Sequence, residues 1–212
     1  MSKQKLILVG GGGHCKSCID VIELEGKYEI VGIIDLPEKK GEKILSYEVI
    51  GNDDEYETYK QQGCEFLITV GQIKTASVRK KIFGKLKSID ATIATVISPL
   101  AYVSKYASVA EGTIVMHNAF VNAGAEVGVN CILNTGCVIE HDAEIGEYCH
   151  ISTNAVVNGD CKIGDETFVG SNATISSQVN VGENVIIGAG SVVIKSIENN
   201  CAVAGVPSKK IK

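Results

Sequence analysis

The 212-residue chain lacks any apolar run long enough to cross a bilayer, which sets aside a transmembrane span. Its start, Met1-Ser2-Lys3-Gln4-Lys5, leads into a short strand rather than a signal-peptide core, so a cytoplasmic location is expected. The chain also lacks a surplus of positive charge. Its formal net charge is −5, without the basic footprint that general nucleic-acid binding needs. Small anions stay within reach, because backbone amides and a few lysines can hold a phosphate. Histidine is scarce, with only His14, His117, His141 and His150. A paired set of Cys-x-x-Cys motifs is missing as well: Cys15 and Cys18 form one, and no second follows to complete a zinc site.

What the chain has in abundance is rhythm. From Val103 to Val193 a Val, Ile or Leu stands at every sixth position without a miss. The fourth residue after most of these is small, as at Ala107, Ala119, Ala125, Ala143, Ala155 and Ala173, with Val179 and Val185 the larger members. One branched and one small side chain per hexad fill a narrow prism, and hexapeptide periodicity signals a parallel β-helix. Cys131, Cys137, Cys149 and Cys161 occupy the small inward position, where they act as small hydrophobes. Cys15, Cys18, Ile19 and Ile22 fall on one apolar helix face, so this pair reads as packing, with a redox pair as the alternative. The eight cysteines together read as those of a reduced protein.

Residues 1–98 read differently, as strands and helices in alternation. Strands are expected at Lys5–Val9, Ile30–Asp35, Phe66–Val70 and near Ile93–Ile97. Helices are expected from the glycines to about Leu24, over Asp53–Gln62 and over Thr75–Leu86. Pro99 marks a domain boundary, with residues 99–212 as coils and a tail. The fold class is therefore a Rossmann-like α/β domain followed by an all-β parallel β-helix.

Gly10-Gly11-Gly12-Gly13 between strand and helix presents backbone amides where a phosphate can sit, and Asp35 ends the next strand near a ribose position. The full G-x-G-x-x-G pattern is absent, since Cys15 or Lys16 replaces its last glycine. A nucleotide-phosphate site is favoured over a bare tight turn, and a redox dinucleotide is not. In the coils, His141 and His150 both point outward by phase, on neighbouring stretches of wall, whereas His117 reads as a surface residue. An outward histidine needs a second surface to form a pocket, and a neighbouring subunit would supply one.

The segments Ile132-Leu133-Asn134-Thr135, Val138-Ile139-Glu140-His141-Asp142 and Ile145-Gly146-Glu147-Tyr148-Cys149-His150 resemble the left-handed β-helix sugar O- and N-acyltransferases. Gly11-Gly12-Gly13-His14-Cys15-Lys16, Asp35 and the tail Gly205-Val206-Pro207-Ser208-Lys209 are similar to the same family. Within it the chain looks closest to N-acetyltransferases of UDP-4-amino-sugars of the bacillosamine type. The resemblance implies a left-handed coil, a homotrimer, acetyl-CoA as cosubstrate and direct transfer without a metal or covalent intermediate. It implies His141 as general base with Asp142 orienting it, although relatives often carry Glu there. It places Gly13, His14, Asp35, Gly71, Gln72 and Asn134 on the sugar nucleotide. His150, Gly159, Ala189, Lys209 and Lys210 fall on the coenzyme, with the Gly159 amide as oxyanion donor. An ordinary strand-end turn at Gly71-Gln72 and a solvated charge cluster at Lys209-Lys210 are the competing readings. Two other functions stay open at this level: O-acetylation of a sialic-acid-like sugar, and a non-catalytic trimeric, nucleotide-binding β-helix.

Overall fold

The computed structural model describes residues 3–211; Met1, Ser2 and Lys212, at the outer ends of the two expected domains, lie outside the described residues. The chain divides into two compact units. One comprises residues 1–71 and 77–96, the other residues 72–76 and 97–212. The expected boundary at Pro99 thus falls close to the change at Ile97, while the short segment Gln72–Ala76 packs with the second unit. Among the described residues no helix is long and apolar enough to cross a membrane.

The first unit is a five-stranded sheet with covering helices. In chain order it contains β1 (Gln4–Val9), α1 (Gly13–Glu25), β2 (Tyr28–Ile34), β3 (Lys43–Ile44), β4 (Tyr47–Gly51), α2 (Tyr56–Gln61), β5 (Glu65–Ile68) and α3 (Ser77–Ser88). The strand order is β3-β4-β2-β1-β5, parallel except for the β3–β4 hairpin. Leu6 to Val9, Ile33, Ile34 and Phe66 to Ile68 are buried in it. Covered on both faces, the inner strands of a parallel sheet read as unbroken apolar runs. The β3–β4 hairpin is absent from the sequence reading, and its first strand, at two residues, is too short to carry a period. The expected strand at Ile93–Ile97 contributes only a bridge from Ile93 to Phe66 here. The expected helix over Asp53–Gln62 opens as a 3-10 turn at Asp53–Glu55, capped reciprocally by Asn52 and Glu55, before α2 begins.

Cys15, Cys18, Ile19 and Ile22 are fully buried on the inner face of α1. Burial pushes the Cys15 thiol up to about 11 and that of Cys18 higher still, so neither is a thiolate near neutral pH. The only arginine in the sequence, Arg79 of α3, is 1 % exposed. Its Nη1 donates to the carbonyls of Ile68 and Val70 at 2.9 and 2.7 Å, which ties down the exit of β5. Thr69 Oγ1 donates to the Gly10 carbonyl at 2.7 Å, so the ends of β1 and β5 are knit together.

The second unit is a three-faced parallel β-helix. Sixteen two-residue strands run from Tyr102–Val103 to Val192–Val193, and each ends on a residue of the hexad series. Strands pair in parallel with those eighteen residues away, as Val121 with Val103 and Ile139, so three hexads make one coil. The hexad aliphatics form one continuous core with the small residues between them. Burying one such aliphatic side chain contributes about 1.5–3 kcal/mol. Cys131, Cys137, Cys149 and Cys161 are all fully buried in this core, in the role the periodicity assigns them.

Outward residues differ by face. The strands starting at Ile114, Ile132, His150, Phe168 and Ile186 form the first face. The second shows Tyr102, Phe120, Val138, Val156, Thr174 and Val192, and the third Ser108, Glu126, Glu144, Lys162 and Asn180. From Gly112 to Gly190 the third residue after each strand adopts positive φ, as at Asn130, Asp142, Asn154, Asp160 and Asn172. Asn, Asp and Gly tolerate that left-handed region best, which explains their frequency there. The tail returns as Ala202–Ala204 paired antiparallel with Lys209–Lys210.

Candidate functional site

His141 and Asp142 sit at the corner between the second and third faces. Asp142 takes the left-handed position of that corner at φ 59°, and its Oδ2 lies 2.9 Å from Nδ1 of His141. A short acid suits this backbone, and from it Asp142 reaches the His141 ring directly. A Cβ on Gly124, in the coil before, would run into the Asp142 carboxylate; the glycine leaves room for it. Both side chains are open, at 58 % and 63 % exposure. The hydrogen bond to Asp142 raises the His141 pKa above the usual imidazole value, slight desolvation opposes it, and the charges of Asp142, Asp160 and Glu140 add to the rise. Asp160 stands one coil on at the equivalent corner, its N–H donating to the His141 carbonyl at 3.2 Å. The signal for Asp160 was the eighteen-residue spacing from Asp142, and reading hexads singly passes over it.

Asn134 and His150 form a second group. Ile132 pairs with His150 across adjacent coils, and Asn134 Nδ2 lies 3.1 Å from His150 Nε2. His150 points out of the coil as its phase requires, yet it is only 7 % exposed. The segment Gln72–Ala76 covers it: His150 Nδ1 lies 2.6 Å from the Gln72 carbonyl. The ring also meets Phe168 edge-on, at 5.2 Å between centroids. Gln72, 4 % exposed, donates its own amide to the Tyr148 carbonyl at 2.8 Å. His141 stands at the corner between the second and third faces and His150 on the first face, so they occupy neighbouring stretches of wall and not one face. The physical reason is that each hexad turns the chain to the next face, so neighbours on one face are eighteen residues apart. Asn134 likewise stands at the corner before the second face and His141 at the corner after it.

The glycine turn closes on itself. Gly10 has φ +103° and touches Val70, Gly12 caps α1 and Gly13 opens it. Gly11 N–H donates to Asp35 Oδ2 at 2.7 Å, and Lys39 Nζ meets the same oxygen at 3.0 Å. Asp35 Oδ1 accepts from the Leu36 N–H at 2.7 Å. Burial pushes the Asp35 carboxyl up, but these two N–H groups and the Lys39 ammonium together outweigh it and hold the pKa below the usual value. Asp35 thus fixes the turn as well as standing beside it, and Lys39 is a cation the sequence reading missed. Gly71 lies against His14, since a Cβ on it would sit 3.5 Å from His14 Cβ.

Gly159 lies beneath His141, and a Cβ there would stand 2.6 Å from its ring. Ala189 is an exposed corner residue two coils beyond Thr153. Lys209 and Lys210 line a cavity of about 490 Å³ at the tail, together with Lys195, Ser196 and Ser208. Lys195 was not singled out from sequence, where a lone lysine after a hexad is ordinary. His117 is more than a surface residue: its Nδ1 lies 2.7 Å from Oγ of Ser98, which is buried and caps Leu100 N–H.

Comparisons with known proteins agree with this architecture. Residues 5–86 match the family described as PglD N-terminal domain, and residues 160–195 match the bacterial transferase hexapeptide (six repeats). A mutant perosamine N-acetyltransferase from Caulobacter crescentus, in complex with CoA and GDP-perosamine, superposes with a TM-score of 0.93 at 27% identity, covering 100% of this chain and 98% of that one. The acetyltransferase domain of PglB from Neisseria gonorrhoeae, in complex with acetyl coenzyme A, gives 0.91 at 28% identity over 99% of this chain and 100% of that one. WeeI from Acinetobacter baumannii shares the fold at 20% identity and a TM-score of 0.88, over 99% of this chain and 100% of that one. No curated protein matches the sequence significantly. A PglD-type N-terminal domain is thus joined to hexapeptide coils in one chain.

Proposed function

We propose that this protein transfers the acetyl group of acetyl-CoA to the 4-amino group of a UDP-linked 4-amino-dideoxy sugar, as a homotrimer. The observation that carries the reading is the His141–Asp142 pair, an oriented imidazole at 2.9 Å from its carboxylate on an open corner. Neutral His141 takes a proton from the sugar ammonium or from the amine as it attacks the thioester carbonyl. The amine nitrogen bonds to the acetyl carbon, the tetrahedral oxyanion is met by the Gly159 amide, and coenzyme A leaves as the thiol. Asp142 holds the ring and balances the imidazolium charge. The acids Glu140, Asp142 and Asp160 around the base suit a cationic acceptor and would repel the carboxylate of a sialic-acid-like sugar.

The donor's phosphates fit the basic tail cavity, where Lys195, Lys209 and Lys210 supply charge. The sugar nucleotide is assigned to the turn of Gly13 and His14, with Asp35 and Gly71 around it. A trimer supplies the second wall that an exposed His141 requires, and the apolar ladder of the second face is the surface for it. The test mixes purified protein with acetyl-CoA and a panel of UDP- and GDP-linked 4-amino sugars, and follows free thiol. Release with a UDP-linked acceptor is expected. Release only with GDP-linked acceptors reassigns the base, and none with any amine sinks the reading. Equal rates for wild type and His141→Ala would remove His141 as base.

A further inference from the structure

Arg79, Ile82, Phe83 and Leu86 form the buried stripe of α3, at the i, i+3, i+4 and i+7 spacing where apolar side chains are expected. A charge at such a place must be hydrogen-bonded, and a well-packed hydrophobe there often gives the more stable fold. Arg79 is nevertheless 1 % exposed, and what lies opposite it explains why. β5 is the edge strand of its sheet. On the inner side it stays paired with β1 as far as Thr69, whose N–H donates to the Val9 carbonyl at 2.8 Å. On the outer side Phe66 N–H donates to Thr92 and its carbonyl accepts from Ala94. Past that bridge the Ile68 and Val70 carbonyls turn to the same outer edge, because alternate residues of a strand do so. Arg79 Nη1 meets both, at 2.9 and 2.7 Å. One guanidinium nitrogen thus takes the place of a neighbouring strand and holds the chain to the sheet beyond the end of β5.

The residues held in this way are those that meet the glycine turn. Thr69 Oγ1 donates to the Gly10 carbonyl at 2.7 Å and to the Val9 carbonyl at 3.1 Å. A Cβ on Gly10 would run into Val70, so the turn is shaped against that residue. Gly71 follows directly and lies against His14. We propose that Arg79 is a positioning residue for the sugar nucleotide. Through the Ile68 and Val70 carbonyls it sets the places of the turn at residues 10–13 and of Gly71, and it touches no ligand itself. A guanidinium suits this task better than an apolar side chain, because packing alone leaves two strand-edge carbonyls without their donor. The inference rests on the assignment of the sugar nucleotide to the glycine turn. Acetyl-CoA is assigned to the coils, so its binding is expected to be independent of Arg79.

The test pairs kinetics of one variant with spectra of the wild type. Arg79→Met keeps an unbranched side chain in the stripe and removes both hydrogen bonds. KM for the sugar nucleotide is expected to rise about tenfold or more as the turn and Gly71 lose their places. KM for acetyl-CoA should stay within about twofold, since no shared contact joins the two. Both KM values rising alike, or neither moving, would overturn the proposal. The wild type supplies the measurement that stands even if the variant does not fold. Arg79 is the only arginine in the sequence, so nitrogen-15 arginine labelling gives the signals of this one guanidinium. Titration with UDP, and separately with GDP, is expected to shift those signals in step with binding measured by calorimetry, and coenzyme A alone is not. A nucleotide that binds without moving them, or a shift with coenzyme A alone, overturns the proposal. If neither nucleotide binds, the nucleotide reading of the turn fails and takes this inference with it. If nucleotide binds and shifts the signals but no amino sugar is acetylated, the acetyl-transfer reading fails and this one stands.

Discussion

A Cβ on Gly159 would lie 2.6 Å from both Nε2 and Cε1 of His141, so the glycine is the floor on which the imidazole rests. Gly159→Ala would displace an exposed side chain rather than backbone, because the ring is free to swing outward. Stability should change by no more than about 1 kcal/mol, while kcat falls about 10–100-fold as the base leaves its place. Thermal melting and steady-state kinetics on the same preparation check both halves. A variant with wild-type kcat would show that the ring position does not matter.

The acids around His141 set a pH dependence. A general base works in its neutral form, and the hydrogen bond from Asp142 raises the His141 pKa. The rising limb of kcat/KM is therefore expected above the ordinary imidazole value. Asp142→Asn removes the largest cause, so the limb moves to lower pH, and kcat drops about 10–100-fold as ring orientation is lost. Asp160→Asn removes a charge but no contact to the ring, so it shifts the limb in the same direction and leaves kcat near wild type. A pH–rate profile that stays put in both variants would refute the assignment.

The periodicity made the coil core legible down to individual cysteines, since a six-residue repeat with one small position admits one inward set. It gave His141 and His150 as outward residues for the same reason, while Asn134 and Asp142 came from the family resemblance. It did not give their partners. Asp160 under Asp142 and Gly159 under His141 become neighbours only through the eighteen-residue coil, a distance that a hexad count does not use. The clasp of Gln72 on His150 was hidden because it joins residues 78 apart, from a segment that reads as a plain strand-end turn. Likewise Lys39 looked like one lysine of a loop, until the 3-10 turn at Pro37–Lys39 brought it to Asp35.

Asp35 offers a test of the glycine turn. Its carboxylate accepts from Gly11 and Leu36 N–H and from Lys39, and its folded pKa lies below the unfolded value. The stabilisation is therefore present above the unfolded carboxylate pKa, about 3.9, and lost as pH falls through the lower folded value. Asp35→Ala should cost about 1–3 kcal/mol at neutral pH and raise KM for the sugar nucleotide more than KM for acetyl-CoA. The stability gap between wild type and variant should close in acid. Denaturant titrations at neutral and acid pH measure it, and a gap independent of pH would place the effect outside the carboxylate.

The second face supplies the last prediction. Phe120, Val138, Val156, Thr174 and Val192 point outward there, whereas the third face shows Glu126, Glu144 and Lys162 in the equivalent rows. Apolar ladders of that length on the outside of a coil mark a partner surface, and the open His141 stands at the edge of this face. Val156→Lys places a charge at the middle of the ladder without entering the core, where the next residue, Val157, stays buried. Circular dichroism of the variant should match wild type, because no inward side chain changes. Sedimentation should shift from the proposed trimer to monomer, and acetyl transfer should fall with it, since one protomer leaves the proposed base with a single wall. If the variant sediments as a trimer at full activity, the subunits meet elsewhere. If it is monomeric and still active, the site belongs to one chain, and the second wall must come from the protomer itself.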